Sequence, residues 1–123
     1  MTNFSNREEG IELLKKRFKD WAIKYVLFTR KFPNDSEFKA YRNQMVRCGS
    51  SAAANYRAAC RAKSGPDFIN KMKIVEEELD ESLFWLEFVS ELQKGLEADL
   101  NPLHKEGNEL LSIAVASIKT ARK

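Results

Sequence analysis

The 123-residue sequence is short of helix-breaking residues, with five glycines and three prolines. Hydrophobic content is ordinary, and charged residues make up 32% of the chain. This composition favours long amphipathic helices over a sheet protein. The length suits one domain with a single continuous core, which we expect to span residues 1–123.

Cysteine and histidine are scarce as well: the chain has Cys48, Cys60 and His104. If both cysteines lie on one helix, they stand about 18 Å apart at about 1.5 Å per residue. A disulfide needs Cα atoms within about 7 Å, so the two cannot pair within the chain. We therefore expect two reduced, partly buried thiols in a cytoplasmic protein.

Motifs for catalysis, metal binding and membrane insertion are missing. A nucleophile–base pair would have to use His104, and no serine or cysteine is matched to it. The run Glu76–Glu78 lacks the Glu-x-x-His motif of ferritin-like metal sites, and no phosphate-binding or dinucleotide-binding glycine loop occurs. No stretch approaches the roughly 18 apolar residues of a membrane span. We expect no enzyme activity, cofactor, metal, small-molecule substrate or membrane contact.

Apolar residues recur at alternating spacings of three and four, which predicts amphipathic helices. The predicted helices span residues about 6–32, 36–63, 66–95 and 104–121. Ser36 and Ser64 are the expected N-caps, Gly95 the expected C-terminal stop, and Asn101-Pro102 the expected last loop. Short connections make neighbouring helices antiparallel, so the fold class is all-α, an up-down-up-down four-helix bundle.

The apolar row of the second helix contains unusually small residues. Gly49 within it predicts the close approach of a neighbouring backbone, because glycine costs up to about 1 kcal/mol of helix propensity. Asn55 also falls on this row. A buried Asn can fix helix register, and we favour that structural role over contact with a ligand.

Opposite this row, the second helix carries a basic stripe, whereas the third helix is strongly acidic. One interpretation is that both are solvated faces that pair with each other, at under about 1 kcal/mol per exposed pair. The other is that the stripe contacts phosphates. The candidate nucleic-acid-binding residues are Lys39, Arg47, Arg57, Arg61 and Lys63.

Large apolar residues also point away from the expected core. Phe84 and Phe88 do so on the third helix, with Trp85 on a flank, and Ile23 and Leu27 do so on the first. Clusters of this kind are unusual on a monomer and indicate a subunit interface. The alternative is a bundle that buries a wider face than the periodicity suggests.

The run from Gln44 to Arg57 resembles the bacterial four-helix-bundle proteins encoded within intervening sequences of 23S ribosomal RNA genes. The resemblance extends from about Phe18 to Arg122, and residues 116–122 look like a family ending. Matching positions are Gln44, Arg47, Ser51, Asn55, Lys63, Ser64, Asp67 and Phe68. The chain departs from the family where Ala58-Ala59 replaces a Glu-Gly pair.

The resemblance implies a four-helix bundle and a pentameric barrel, as in the accessory variability proteins of diversity-generating retroelements. Those proteins bind nucleic acid and a reverse transcriptase through basic surfaces. It therefore favours a homo-oligomeric protein that binds structured RNA or associates with the ribosome. A protein–protein adaptor with no nucleic-acid role is the alternative function.

Overall fold

The computed structural model describes residues 3–123 and contains four long α-helices. These are α1 (Asn3–Thr29), α2 (Ser36–Ala59), α3 (Gly65–Leu92) and α4 (Glu97–Ala121). Each helix packs on the next in the chain, and α4 packs back on α1. The four helices therefore form the predicted bundle, with α1 diagonally opposite α3 and α2 diagonally opposite α4.

The last helix begins earlier than expected. Its first residue is Glu97, so Asn101-Pro102 is not a loop, and Pro102 lies inside α4. Proline has no N–H to donate to the Ala98 carbonyl, which normally disfavours this position. Leu100 and Leu103, on either side, are buried in the core, and their burial stabilises the helical turn that contains the proline.

The first two helices end earlier than predicted. After Thr29 and after Ala59, the backbone continues for about one tighter turn rather than as α-helix. Lys31 N donates to Phe28 O at 3.0 Å, and Ala62 N donates to Ala59 O at 3.0 Å. Hydrogen bonds between residues three apart are common at helix ends. They keep the chain helix-like for about one more turn, which is why the spacing of apolar residues predicts later ends for both helices.

One predicted cap is confirmed, since Ser64 caps α3 by accepting from Asp67 N. The helix α3 ends at Leu92 with Gln93 as its C-cap, three residues before the predicted stop at Gly95, and Gly95 has a left-handed φ of +94° in the turn that follows. The cap of α2 is Asp35, whose Oδ1 accepts from Phe38 N at 2.7 Å. Ser36 is instead the first helical residue. Asp35, one residue before it, is the cap because its side chain accepts from the free N–H of Phe38.

The core is centred on aromatic side chains of α1. Phe18 stacks on Tyr56 of α2 with ring centroids 4.2 Å apart, and Trp21 and Tyr25 are fully buried beside it. Tyr56 thus takes the inward position on α2, and Asn55 lies half-buried at its edge. The small residue Gly49 admits the Tyr25 ring, not the neighbouring backbone that its size predicted.

Candidate nucleic-acid interface

The basic stripe of α2 divides into separate regions. Lys39 lies near the start of the helix, and Arg57 lies eighteen positions later. At about 1.5 Å per residue these two side chains are rooted about 27 Å apart. The stripe is exposed along its length, but one short ligand segment would not contact both ends.

Arg47, in the middle of the stripe, is bound to the acidic helix beside it. Its guanidinium donates to Glu78 Oε2 at 3.0 Å and to Glu81 Oε1 at 2.6 Å. The hydrogen bond to Glu81 is the main cause of a raised Arg47 pKa. For this residue the structure supports pairing between helices, because the two carboxylates compete with any phosphate.

Arg57 and Arg61 come together on one wall of an open groove between α1 and α2. The groove has a volume of about 1210 Å³, and α1 contributes Lys15, Lys16 and Lys19 to the opposite wall. The small side chains of Ala53 and Ala54, on α2, also line the groove. The arrangement gathers five cations from two helices around one channel, and Glu8, Glu9 and Glu12 of α1 line the same channel.

Not every cation in the groove is available to a ligand. Lys15 pairs with Glu12 at 3.0 Å and Lys16 with Asp20 at 2.5 Å. Over residues 3–123, Lys19, Arg57 and Arg61 form no ion pair within the chain. These three are therefore the cations of the groove that are not held in an ion pair, and they share the groove with Glu8 and Glu9.

The three lysines of α1 were missed by the sequence reasoning, which considered only α2. They lie at three- and four-residue spacing on the flank of the α1 apolar row that faces α2. That spacing was a usable signal, because antiparallel neighbours bring the first half of α1 beside the last half of α2.

Lys63 lies beyond the groove, in the turn between α2 and α3. Its backbone N–H donates to Asp67 Oδ2 at 3.1 Å, and Lys71 donates to the other carboxylate oxygen at 2.6 Å. The Lys71 hydrogen bond, followed by that of Lys63, lowers the Asp67 pKa. The Lys63 side chain is exposed, so its predicted role in phosphate contact is sterically open.

Asn55 finds its hydrogen-bond partners within its own helix. Its Nδ2 donates to the backbone O and to the Oγ of Ser51, both at 2.9 Å. These bonds satisfy a half-buried amide one helical turn back. The role in helix register stays a prediction, and the observed contacts do not cross to another helix.

The outward apolar residues form two patches. Phe84 is 51% exposed, and Trp85 and Phe88 beside it are half-buried against Tyr41. On α1, Ile23 is 50% and Leu27 is 46% exposed. Because α1 and α3 are diagonal, the two patches lie on opposite sides of the bundle.

Other chemistry is sparse in the described part of the chain. His104 Nε2 lies 2.8 Å from Glu87 Oε2, in a pair that joins α4 to α3. Both cysteines are free, and burial raises the pKa of the Cys48 thiol. Across residues 3–123 no cluster of three metal-ligating side chains occurs. None of the described helices is long and apolar enough to cross a membrane.

Comparison with known proteins identifies a similar solved fold and a family. The fold is similar to a crystal structure from Bacteroides thetaiotaomicron, described as a protein with unknown function from the S23 ribosomal protein family. That structure is 26% identical, has a TM-score of 0.79, and the match covers 89% of this chain and 97% of the other. No curated protein matches the chain. The model of the 23S rRNA-intervening sequence proteins matches residues 13–116, and the chain therefore belongs to that family.

Proposed function

We propose that this protein is a non-enzymatic, homo-oligomeric bundle that binds structured RNA in the cytoplasm through the groove between α1 and α2. The observation that carries the proposal is the grouping of Lys19, Arg57 and Arg61 around one channel without ion-pair partners among the described residues. The proposal involves no cofactor and no small-molecule substrate.

The groove suits an RNA backbone better than RNA bases. Arginine presents a planar fork of donors that matches the oxygens of a phosphate, and lysine supplies a point charge beside it. The described residues that line the groove include no aromatic side chain on which bases could stack. Recognition would therefore depend on phosphate positions and RNA shape rather than on sequence.

Self-association would multiply this weak, charge-based contact. Each copy brings its own groove, and linked copies raise the effective concentration of every groove after the first has bound. The outward apolar patches support self-association, and the likeness to accessory variability proteins of retroelements supports a pentamer. We therefore propose that the working unit is a homopentamer with one RNA-facing groove per subunit.

The test is fluorescence anisotropy with a fluorescein-labelled RNA hairpin across a salt series. Binding should weaken as salt rises, with a slope that reports the number of phosphate contacts. In the double variant Arg57→Ala/Arg61→Ala, the magnitude of the slope should fall by about 1.8 for two lost contacts at the duplex value of roughly 0.9 each. The matched control is Lys105→Ala/Lys119→Ala, which removes two exposed charges from α4, the helix diagonally opposite α2.

If both double variants weaken binding equally, net charge and not the groove attracts the RNA. Wild-type protein that binds the hairpin no better than a neutral protein would overturn the proposal. In that case the adaptor function is the one to pursue. A pull-down would then recover a polypeptide partner that nuclease treatment does not release.

A further inference from the structure

The outer faces of α1 and α3 carry opposite charges around their apolar residues. On α3, Phe84 is surrounded at helical spacings of three, four and seven by exposed carboxylates, and no basic residue occurs between Ile74 and Leu92. The carboxylates are Glu77, Asp80, Glu87 and Glu91. This face is an apolar centre within an acidic border.

On α1, Ile23 and Leu27 form the apolar centre, and the border is mainly cationic, with one carboxylate, Asp20, that pairs with Lys16. Lys24 and Arg30 are exposed beside them, at spacings of one to seven residues, and neither forms an ion pair within the described chain. Lys31, also adjacent, pairs with Asp99. The α1 face thus complements the α3 face in charge, and both present apolar side chains at their centres.

The geometry excludes pairing of these faces within one chain. The helices lie diagonally across the bundle, so their outer faces point in opposite directions. A two-fold dimer would place a face against its own copy, with carboxylates opposing carboxylates on α3. Contact between unlike faces avoids this repulsion, and repetition of that contact closes a ring when the rotation per subunit allows.

The aromatic centre on α3 is also held in place. Phe84 contacts Trp85 and Phe88 with ring centroids 5.1 and 5.7 Å apart, and Phe88 contacts Tyr41 of α2 at 5.1 Å. Trp85 Nε1 further donates to Glu81 Oε2 at 3.2 Å. Side chains fixed before association lose less entropy when they are buried, which favours their use as an interface anchor.

We infer that copies of this chain associate head to tail, with the Phe84 face of one copy packed against the Ile23–Leu27 face of the next. This inference rests on the self-association in the proposed function and adds which surfaces meet. It assigns the α3 carboxylates to the partner's cations.

Two blocked variants test the inference by mass measurement, using light scattering on the full chain. Phe84→Glu blocks the α3 face, and Ile23→Glu/Leu27→Glu blocks the α1 face. Each variant alone should be monomeric at 14.2 kDa. Mixed in equal amounts, they should form a dimer of twice that mass, because each retains the face that the other lacks. Each blocked end has lost its apolar centre, so the dimer cannot add further copies or close a ring.

Ile74→Glu is the matched control, because it introduces the same charge at an exposed apolar residue of α3 about 15 Å from Phe84. It should keep the wild-type mass. Circular dichroism confirms that each variant is folded, since all substituted positions are at the surface.

Three results would overturn the inference. A two-fold α3 contact would leave the α1-face variant dimeric and give no new species on mixing. Wild-type mass in either blocked variant would show that its face is not used. Wild-type protein that is itself monomeric would overturn self-association as a whole, which separates failure of the proposed function from failure of the head-to-tail arrangement.

Discussion

The ring of Tyr25 occupies the space that a side chain at position 49 would need. A Cβ added to Gly49 would lie 2.5 Å from Tyr25 Cδ1, which is closer than two carbons can approach. The hydroxyl of Tyr25 continues past α2 and donates to Ser82 O of α3 at 2.7 Å. One aromatic residue of α1 therefore contacts two other helices, and it does so only because residue 49 has no side chain.

Gly49→Ala should therefore destabilise the protein. Overpacking typically costs 1–3 kcal/mol, and the gain of about 1 kcal/mol in helix propensity offsets part of it. Because a 2.5 Å approach puts the overpacking cost at the upper end of that range, we expect the free energy of unfolding to fall by about 2 kcal/mol in urea denaturation. Gly10→Ala is the control, because nothing lies within 4 Å of a Cβ at that helical position. It should be neutral or stabilising, and a neutral Gly49→Ala would contradict the packing described.

Periodicity predicted the fold because each helix carries its apolar residues at regular spacings. On α3, the residues that recur at spacings of three and four are all buried: Met72, Val75, Leu79, Ser82, Leu86 and Val89. On α2, where most candidates are small, the predicted row passes through Asn55, whereas the buried residue is Tyr56. Tyr56 is the inward residue because its large ring stacks on Phe18, which no local pattern in α2 reveals.

The candidate site was predicted less completely, because it depends on which helices are neighbours and in which register. Arg47 and Arg57 are alike in sequence, ten residues apart on one face. The register of α3 places Glu78 and Glu81 beside Arg47, whereas Arg57 faces the groove with α1 and forms no ion pair within the described chain. Likewise, Asn101-Pro102 alone predicts a loop. The helix continues through Pro102 because Leu100 and Leu103 are buried against other helices, and the local sequence does not reveal that burial.

The proline inside α4 costs stability that a substitution should recover. Pro102→Ala restores an N–H that can donate to Ala98 O, and it removes the ring from the surface of the helix. We expect the free energy of unfolding to rise by about 1 kcal/mol. This gain is smaller than the roughly 3 kcal/mol cost of an interior proline, because the surrounding helix already accommodates the proline ring. Urea denaturation measures this change.

Pro66→Ala is the matched control for that substitution. Pro66 lies in the first turn of α3, where a backbone N–H has no helical partner to lose. The control should give no gain or a small loss. An equal gain in both variants would show that the effect does not come from the missing hydrogen bond in α4.

Acid should weaken the contact between α1 and α4. Arg17 donates to both carboxylate oxygens of Glu106, at 2.6 and 2.8 Å, and this hydrogen bonding holds the Glu106 pKa below its ordinary value of 4.5. A lowered pKa in the folded state stabilises the protein above pH 4.5, and the stabilisation is lost as the pH falls through the folded value. Glu106→Gln should cost up to about 1 kcal/mol at pH 7, because the pair is partly exposed.

The difference between Glu106→Gln and wild type should therefore shrink as the pH falls below 4.5, in denaturation measured across a pH series. Glu109→Gln is the control, because Glu109 receives one hydrogen bond from Arg17 and is more exposed. It should cost less at pH 7. A difference for Glu106→Gln that stays constant down to pH 2 would contradict the linkage.

The two thiols should differ in reactivity. Cys48 is fully buried, its Sγ accepts from Ser82 Oγ at 3.3 Å, and burial raises its pKa, so little thiolate forms at neutral pH. Cys60 is half-buried near the end of α2. With a thiol reagent and mass spectrometry, Cys60 should be modified first and Cys48 only at the rate of unfolding. Equal rates in native buffer would show that the core around Cys48 opens readily.

Arg47 and Arg57 should give opposite results when each is replaced by alanine. Arg47→Ala leaves the half-buried Glu78 and Glu81 without their partner, so the free energy of unfolding should fall by up to about 1 kcal/mol while hairpin RNA affinity changes little. Arg57→Ala removes an exposed cation with no ion pair in the described chain, so stability should hold while affinity and its salt dependence decrease. Denaturation and anisotropy on the same preparations measure both. If Arg47→Ala weakened RNA binding as much as Arg57→Ala, the RNA would compete successfully with the α3 carboxylates, and the binding surface would extend along the whole stripe.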